Sequence, residues 1–528
     1  MRKQFIITSV SVLLFVAVVG FFWTPFLFLL VLVGPIILLG LWDFFQVEHS
    51  VLRNFPVVGH LRYLFEFIRP EINQYFVESN TDGKPFNREQ RSIVYQRAKK
   101  ALDTHPFGTE KDVYEVGYEW VKHSLSPVEV PPASLRLKIG GPLCEKPYSA
   151  SILNISAMSY GSLSKNAVMA LNKGAKIGNF AHNTGEGGLS KYHLQGGDVI
   201  WQIGTAYFGC RKKNGRFDPE QFREKSNIEE VKMIELKLSQ GAKPGHGGIL
   251  PGKKLTREIA DIRGVEMGKD VISPPAHSEF STPVGLLEFI HKLRELSGGK
   301  PVGFKFCLGK NREFVSICKA MHKTGIYPDY IALDGGEGGT GAAPLEFSNN
   351  IGSPLIPALI FVHNCLVGFN LRDKIRVISS GKISTGFGIV KQICLGADMC
   401  YSARAMMFAL GCIQALRCNT NHCPVGVTTQ DPNLVAGLVV KDKKQRVAEY
   451  HEETIKSVAE IIGAMGISNT EDLRRWHLMR IVGPNDVRHY GKIYHFLSYG
   501  DLLKTDIPPE YQMAFKRSSP DSFTRVSD

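Results

Sequence analysis

The chain begins with a long uncharged apolar stretch and continues, beyond residue 145, with short apolar runs that alternate with amphipathic segments. No charged residue occurs over residues 5–42. As a helix this stretch would be about 57 Å long, almost twice the hydrocarbon core of a membrane. The interruption Phe22-Trp23-Thr24-Pro25 supplies interfacial aromatic residues and a helix breaker. The pattern predicts a transmembrane helical hairpin over residues 1–45.

Positive charge lies on both outer sides of this hairpin and is absent from its turn. Arg2 and Lys3 precede the first span, and Arg53, Arg62 and Arg69 follow the second. Both ends should therefore face the cytoplasm, in a multi-pass protein of the inner (cytoplasmic) membrane with a cytoplasmic catalytic domain. A cleaved signal peptide is the alternative, but no small-residue cleavage site separates the two apolar runs.

Residues 146–440 repeat short β-branched or apolar runs, each followed by helical periodicity, which is typical of βα units. Eight candidate strands can be counted, the number that closes a parallel barrel. They lie at residues 151–155, 179–183, 201–205, 271–273, 302–307, 330–333, 377–379 and 399–402. A doubly wound sheet would need a Gly-x-Gly-x-x-Gly turn after an early strand, and none occurs there. The predicted fold is an α/β protein with a (β/α)8 TIM barrel.

The remaining segments carry weaker signals. Residues 46–145 are predicted to be a linker or cap, and their start could lie against lipid headgroups. Residues 441–528 are predicted to be a helical C-terminal extension, with an amphipathic helix over residues 442–465. A capping box formed by Ser468 and Glu471 predicts the start of the next helix.

Composition excludes several classes of protein. With 44% apolar and 21% charged residues the chain has material for a large core, which excludes disorder, collagen and a disulfide scaffold. The net charge of +13 suits anionic substrates, phosphate cofactors or an anionic membrane, and nucleic acid only weakly. Ten cysteines in 528 residues are too dilute for a disulfide framework.

Glycine-rich segments follow several predicted strands, at Met158-Ser-Tyr-Gly-Ser, Asn183-Thr-Gly-Glu-Gly-Gly, Asp334-Gly-Gly-Glu-Gly-Gly and Ser379-Ser-Gly-Lys. Glycine there lets a ligand approach bare backbone, although it could merely permit tight turns. Several such segments at matching strand ends favour a bound cofactor. Barrels usually hold a phosphate after strands seven and eight. The predicted phosphate binders are Ser380, Gly381, Lys382, Ala403 and Arg404.

Two further groups of residues could carry chemistry. Cys412, Cys418 and Cys423 form a close cluster followed by proline, and three thiolates can bind three irons. A zinc knuckle with His422 and three inert buried thiols are the alternatives. Lys237, Lys243 and Arg263 are cations that suit a dicarboxylate, although a solvated basic loop would be the simpler interpretation.

Taken together, the segments over residues 151–430 resemble the FMN- and cluster-binding half of the glutamate synthase large subunit. The matching motifs occur in the same order: Met158-Ser-Tyr-Gly-Ser-Leu-Ser, Gly185-Glu-Gly-Gly, Gln240-Gly-Ala-Lys-Pro-Gly, Ile272-Ser-Pro-Pro, Gly338-Gly-Thr-Gly-Ala and Gly411-Cys through Cys423-Pro-Val-Gly-Val. The N-terminal hairpin is similar to that of a shorter, membrane-bound group of stand-alone proteins.

The resemblance implies a cofactor arrangement. FMN would lie across the barrel mouth with its phosphate at Gly381 and Arg404 and its ring near Ser159 and Gly161. Lys305 would face the N1 and C2 carbonyl side of the ring, where a cation stabilises the reduced flavin. A 3Fe-4S cluster would sit on the three cysteines. The complete set of implied FMN-binding residues is Met158, Ser159, Gly161, Lys305, Gly338, Gly339, Ser380, Gly381, Lys382, Ala403 and Arg404.

The resemblance also implies the reaction, in which the reduced flavin gives a hydride to 2-iminoglutarate formed from 2-oxoglutarate and ammonia. The implied catalytic residues are Glu186, Lys243 and Lys305. Substrate carboxylates would be bound by Lys237, Lys243 and Arg263, and Gln202 is a further match. Small-molecule 2-oxo acid, ammonia or an amine, and a ferredoxin-like or membrane-associated electron donor are the implied partners, with no nucleic acid.

Some positions depart from the family pattern. His246 and Ile249 stand where glutamate-forming members carry Glu and Gln, and an apolar residue cannot replace a hydrogen bond to the substrate. The chain begins Met1-Arg2, without an N-terminal cysteine nucleophile or a glutaminase domain, so ammonia should come free or from a partner. An N-substituted glutamate synthase or amino-acid oxidoreductase, and a non-enzymatic membrane scaffold, are the alternative functions.

Overall fold

A computed structural model describes residues 1–524 and divides the chain into two compact units, Met1–Lys84 and Pro85–Asp528. The first unit is entirely helical. Its helices are Arg2–Phe22, Leu30–Phe45, Ser50–Asn54 and Gly59–Ile72, with a 3-10 helix at Thr24–Leu29 and a π turn at Asn73–Val77. The 3-10 helix begins at the predicted Thr24-Pro25 break.

The first two long helices run antiparallel. The Arg2 guanidinium donates to the Phe44 carbonyl at 3.4 Å and lies 4.1 Å from the centre of its ring. A Cβ atom on Gly40 would lie 2.2 Å from the Phe5 ring, so the two helices touch closely at this glycine. Residues Arg2–Phe22 and Thr24–Phe45 are each long and apolar enough, by length and composition, to cross a membrane.

The second unit is built on a closed barrel of eight parallel strands, as predicted. The barrel strands are β1 (Leu153–Ile155), β2 (His182–Asn183), β3 (Val199–Ile203), β4 (Val231–Lys237), β5 (Val302–Phe306), β6 (Tyr330–Asp334), β7 (Arg376–Ser380) and β8 (Met399–Ser402). Strand β8 pairs with β1 and so closes the barrel without a free edge. Seven of the eight predicted strands overlap one of these.

One predicted barrel strand was wrong. Residues Val271–Ile272 pair antiparallel with Ile249–Leu250 in a small separate sheet, and the fourth barrel strand is Val231–Lys237. The sequence Val-Lys-Met-Ile-Glu-Leu-Lys carries three charged residues, so it does not show the continuous apolar run of a buried parallel strand. Its Glu235 is nevertheless fully buried inside the barrel.

Helices surround the barrel, and several of them begin after a residue whose side chain caps them. Ser164 accepts a hydrogen bond from the Ala167 amide, and Thr282 accepts one from Gly285. The helices of this unit are Arg88–Arg97, Lys165–Gly178, Pro219–Ser226, Arg257–Arg263, Pro283–Leu296, Asn311–Thr324, Leu345–Asn350, Leu355–Gly368, Gly386–Cys394, Arg404–Ala409, Pro432–Ala436, Val440–Ala464, Tyr490–Ile493 and Pro509–Lys516.

The C-terminal extension is only partly helical. The helix Val440–Ala464 packs against Lys165–Gly178 so closely that a Cβ atom on Gly174 would lie 2.6 Å from Val447. The predicted capping box was wrong, because Asn469 caps a single 3-10 turn, Thr470–Asp472. Two strands then follow, Leu478–Gly483 and Asp486–His489, in an antiparallel sheet with Glu119–Val121.

Candidate active site at the carboxyl end of the barrel

The loops after β1 and β2 contact each other directly because glycines line the contact. Gly185 has a left-handed φ of 64°, and a Cβ atom there would lie 2.7 Å from the Ser159 amide nitrogen. A Cβ atom on Gly187 would lie 2.7 Å from the Ser159 Cβ and 2.9 Å from the Arg263 guanidinium. Bulkier residues would push these loops apart, so the glycines hold Met158 and Ser159 at the barrel mouth beside Arg263.

Glu186 lies in the same loop and is held between two further glycines. Its Oε1 atom accepts a hydrogen bond from the Lys237 ammonium, at the end of β4, at 2.6 Å. Cβ atoms on Gly204 and Gly248 would lie 2.6 Å from Oε2 and 2.3 Å from Oε1. Both faces of the carboxylate therefore approach bare backbone, which fixes its position.

Three buried or nearly buried cations surround this single carboxylate. Burial alone would raise the pKa of Glu186, but the charges of Lys237, Arg263 and Lys243 outweigh it and hold the pKa below its ordinary value. Glu186 is therefore ionised at neutral pH, and the three cations leave a net charge of +2 around it. Such an excess suits a ligand with two negative charges.

The other two cations are held by backbone carbonyls rather than by acids. Lys243 is only 2% exposed and donates to the Ala342 carbonyl at 2.8 Å; burial lowers its pKa to about 8. Arg263 donates to the Tyr160 carbonyl at 3.2 Å, its Nε has no hydrogen-bond partner among residues 1–524, and burial lowers its pKa to about 10.

Lys305 lies beside Lys237 in the barrel, because β5 pairs with β4 in that register. Its ammonium is 3.5 Å from Oδ2 of Asp334, at the end of β6. Asp334 also accepts hydrogen bonds from the Gly241 amide at 2.8 Å and the Ser380 hydroxyl at 2.7 Å. Asp334 thus connects the ends of three strands, and sequence analysis had treated it only as the start of a glycine cluster.

The predicted phosphate binders lie at the ends of two neighbouring strands. Strands β7 and β8 pair with Ser380 opposite Tyr401, so the turns that follow them are adjacent. Lys382 turns the chain with a left-handed φ of 50°. The predicted residues brought to this edge are Ser380, Gly381, Lys382, Ala403 and Arg404.

Arg404 and the glycines after β6 are in direct contact. The Arg404 guanidinium donates to the Glu337 carbonyl at 2.7 Å and lies 4.9 Å from the centre of the Phe86 ring. A Cβ atom on Gly339 would lie 3.0 Å from the guanidinium, and one on Gly338 would lie 3.4 Å from the Ala242 amide nitrogen. Two basic side chains and bare backbone at adjoining strand ends are the donor chemistry that a flavin phosphate requires.

Gln202 points into the barrel interior. Its amide donates to Glu235 Oε1 at 2.7 Å, and Asn183 donates to the same oxygen at 2.8 Å. Burial raises the pKa of Glu235, against the opposing charge of Lys305. Glu235 was not predicted because β4 was not predicted. The available signal was the short run Met233-Ile-Glu-Leu, in which a carboxylate stands between apolar residues.

Cys412, Cys418 and Cys423 line one small cavity of about 80 Å³. The rest of its lining is apolar except for Arg404, Gln414, Arg417 and Thr428. No group of three or more His, Cys, Asp or Glu side chains in residues 1–524 is placed to hold a single metal ion. His422 is exposed and does not line this cavity, so nothing in the described chain supports the zinc alternative. Three thiols around one cavity fit a cluster that takes one thiolate per iron.

The three thiols differ in acidity. Burial raises the pKa of Cys412 to about 12, whereas the hydroxyl of Thr428 and nearby backbone groups outweigh burial at Cys423 and lower its pKa. Behind this loop lies Lys254, which is 3% exposed and whose pKa is lowered by burial to about 8. Sequence analysis did not single out this lysine.

A second cavity, of about 1010 Å³, lies at the opposite end of the barrel. Its lining includes Arg376, which begins β7, and Asp398, which directly precedes β8. In barrel enzymes the amino-terminal end of the strands contributes stability and the carboxyl end contributes catalysis. The site described above is at the catalytic end.

Comparison with known proteins identifies the family. A family model described as the conserved region in glutamate synthase matches residues 140–468. A glutamate synthase large subunit-like protein of Bacillus subtilis is 39% identical over 82% of this chain and 90% of its own length. An archaeal glutamate synthase [NADPH] of Methanocaldococcus jannaschii is 34% identical over 70% and 69%. The chain therefore belongs to the glutamate synthase family of oxidoreductases.

Proposed function

We propose that the protein is an FMN and iron–sulfur oxidoreductase that reduces 2-iminoglutarate, or a similar imino acid, to an amino acid. The observation that carries this proposal is the group of three cations, Lys237, Lys243 and Arg263, around the single carboxylate of Glu186 at the barrel mouth. The net charge of +2 at this nearly buried site favours a ligand that supplies negative charge.

The cations are suited to the two carboxylates of a 2-oxo dicarboxylic acid. Arg263 has a free Nε donor beside the Ser159 loop, and Lys243 has only a carbonyl partner, so each can donate to an incoming carboxylate. A hydrogen bond to a charged group contributes about 1.5–3 kcal/mol. Two such contacts can therefore select a dicarboxylate over a monocarboxylate by at least tenfold.

Glu186 is suited to hold a nitrogen nucleophile in place rather than to remove its proton. Its pKa is held low by the surrounding cations, so at neutral pH it is a carboxylate that can accept a hydrogen bond from bound ammonia. Attack of that ammonia on the 2-oxo carbon, followed by loss of water, gives the imine. Gly204 and Gly248 keep the carboxylate at one position.

The residues present fit FMN and an iron–sulfur cluster. Gly381 and Arg404 would hold the flavin phosphate, Ser159 and Gly161 would lie near the ring, and Cys412, Cys418 and Cys423 would bind the cluster. When bound, FMN would supply a hydride and the cluster would supply single electrons. Asp334 holds the Lys305 ammonium at the ends of β5 and β6, where the cation would favour a negatively charged reduced ring.

An N-substituted glutamate synthase is the second candidate, favoured by Ile249. This residue directly follows Gly248, which adjoins the Glu186 carboxylate, and its side chain offers no hydrogen bond. An apolar group there could accommodate the methyl group of an alkylamine. His246, at the other departure from the family pattern, lies 5.3 Å from Phe347 between ring centres.

We also place the N-terminal hairpin in the cytoplasmic membrane. The helix Gly59–Ile72 supports this assignment, because Leu61, Leu64 and Phe65 are exposed along one stripe and Arg62 lies off that stripe. Exposed apolar stripes beside apolar helices are suited to a lipid interface. An electron donor would then be a ferredoxin-like protein or a membrane component, although relatives are named as using NADPH.

Product analysis tests the proposal. The purified protein is supplied with 2-oxoglutarate, a chemically reduced low-potential donor, and either ammonia or methylamine, and products are identified by mass spectrometry. Glutamate alone supports the first assignment, and N-methylglutamate supports the second. No product with either amine, from protein that contains FMN, would refute both. NADPH without a donor protein serves as a parallel reductant.

A further inference from the structure

Lys254 is a buried cation whose charge is not balanced by any acidic side chain in the described part of the chain. It ends the short 3-10 helix Gly252–Lys254 and is 3% exposed. Its ammonium donates to two carbonyls, that of Ser162 at 3.2 Å and that of Cys418 at 3.0 Å. One of these carbonyls belongs to Cys418, a predicted cluster ligand, so the ammonium lies directly against the cysteine loop.

The two carbonyls belong to the two predicted redox sites. Ser162 lies in the loop that would contact the flavin ring, and Cys418 lies in the loop that would bind the cluster. The lysine therefore sits between the sites. Carbonyl dipoles only partly stabilise a buried ammonium, which is among the most unfavourable groups to bury unless a negative charge lies beside it.

We propose that Lys254 is a positioning residue that balances the negative charge of the cysteine-bound cluster and raises its reduction potential. The inference rests on the proposed function, since it requires a cluster on the three cysteines. Reduction adds one electron, and hence one negative charge, to the group that these thiolates hold. A fixed cation beside the cysteine loop stabilises that reduced form more than the oxidised form.

The alternative is that Lys254 only connects the Ser162 loop to the cysteine loop. Another hydrogen-bonded contact to the Ser162 loop exists, because the Gln430 side chain donates to the carbonyls of Gly161 at 3.1 Å and Leu163 at 2.9 Å. Replacing the lysine with an apolar residue of similar length therefore removes the charge and leaves this contact between the loops in place. The neighbouring Lys253 is exposed and provides a matched control for loss of one positive charge.

The test compares the full-length wild type with K254M, K254R and K253M, each purified anaerobically. Iron, sulfide and FMN contents are measured, and the cluster potential is determined by redox titration followed by EPR. We expect K254M to keep its FMN. Its cluster potential should be lower than that of the wild type by at least about 59 mV, which corresponds to a tenfold change in the equilibrium constant for one-electron reduction. K254R and K253M should stay near the wild type.

The outcomes separate this inference from the proposed function. Loss of iron in K254M but not in K254R would also support it, because charge would then be needed to assemble an anionic cluster. An unchanged potential in fully loaded K254M, equal shifts in K254M and K253M, or loss of iron in both Lys254 variants would overturn it. Wild-type protein without iron would instead refute the proposed cluster itself.

Discussion

The pKa of Lys243 predicts how substrate binding depends on pH. Burial lowers this pKa to about 8 in the ligand-free protein, whereas Arg263 remains charged up to about pH 10 and Glu186 is ionised throughout this range. As the pH rises above 8, Lys243 loses its proton and a carboxylate must restore it on binding. Affinity for 2-oxoglutarate should therefore fall at high pH.

The size of the effect follows from the pKa. At pH 9, about ten of every eleven molecules carry neutral Lys243, so the dissociation constant should be about tenfold larger than at pH 7. This corresponds to about 1.4 kcal/mol of binding free energy. Arginine stays protonated throughout this range. In K243R, the dissociation constant should therefore change by less than about twofold between pH 7 and pH 9.

Isothermal titration calorimetry of the oxidised, FMN-loaded protein with 2-oxoglutarate provides the assay. Measurements at pH 9 in buffers of different ionisation enthalpy should show uptake of nearly one proton by the wild type and little by K243R. The arginine of K243R also packs differently from lysine, which changes the absolute affinity. The comparison therefore uses only the change of the dissociation constant with pH. A flat profile in the wild type, or the same slope in both proteins, would refute the assignment of Lys243 to the substrate carboxylate.

Three other changes test separate parts of the structure. C418S should remove iron and sulfide while FMN stays bound, as measured by elemental analysis and absorption; unchanged iron would mean that the cysteines are structural. G248A should displace Glu186, whose oxygen would lie 2.3 Å from the new Cβ, and lower turnover at least tenfold without loss of FMN. R294M should lower the free energy of unfolding by about 3–5 kcal/mol, because the buried Asp329 carboxylate loses its ion pair; calorimetric melting measures this.

The sequence predicted most of the barrel because seven of its eight strands carry at most one charged residue. Strands such as Val302–Phe306 and Met399–Ser402 stand between clear helical segments and glycine-rich turns. Val231–Lys237 was not predicted as a strand, because it carries charged residues whose partners lie elsewhere in the chain. Asn183 and Gln202, which satisfy Glu235, come from two other strands, and no local pattern reveals such a pairing.

The candidate site was also predicted only in part. Motifs named Glu186, Lys237 and Arg263, and the structure brings these three side chains together. The sequence did not reveal the carbonyl partner of Lys243, the connecting role of Asp334, or the buried position of Lys254. Each depends on long-range contacts: the Ala342 carbonyl, for example, lies 99 residues from Lys243 along the chain.

Whether the protein binds flavin decides the proposed function. Anaerobically purified protein should be coloured and should release about one FMN per chain on denaturation. When Arg404 and Lys382 are both replaced by alanine, the protein should lose that FMN while its circular dichroism spectrum keeps the wild-type shape. Its melting temperature should fall, because bound FMN stabilises the folded protein and Arg404 also contacts Glu337 and Phe86. A folded, colourless wild-type protein that binds no added FMN would contradict the account and would favour a membrane scaffold.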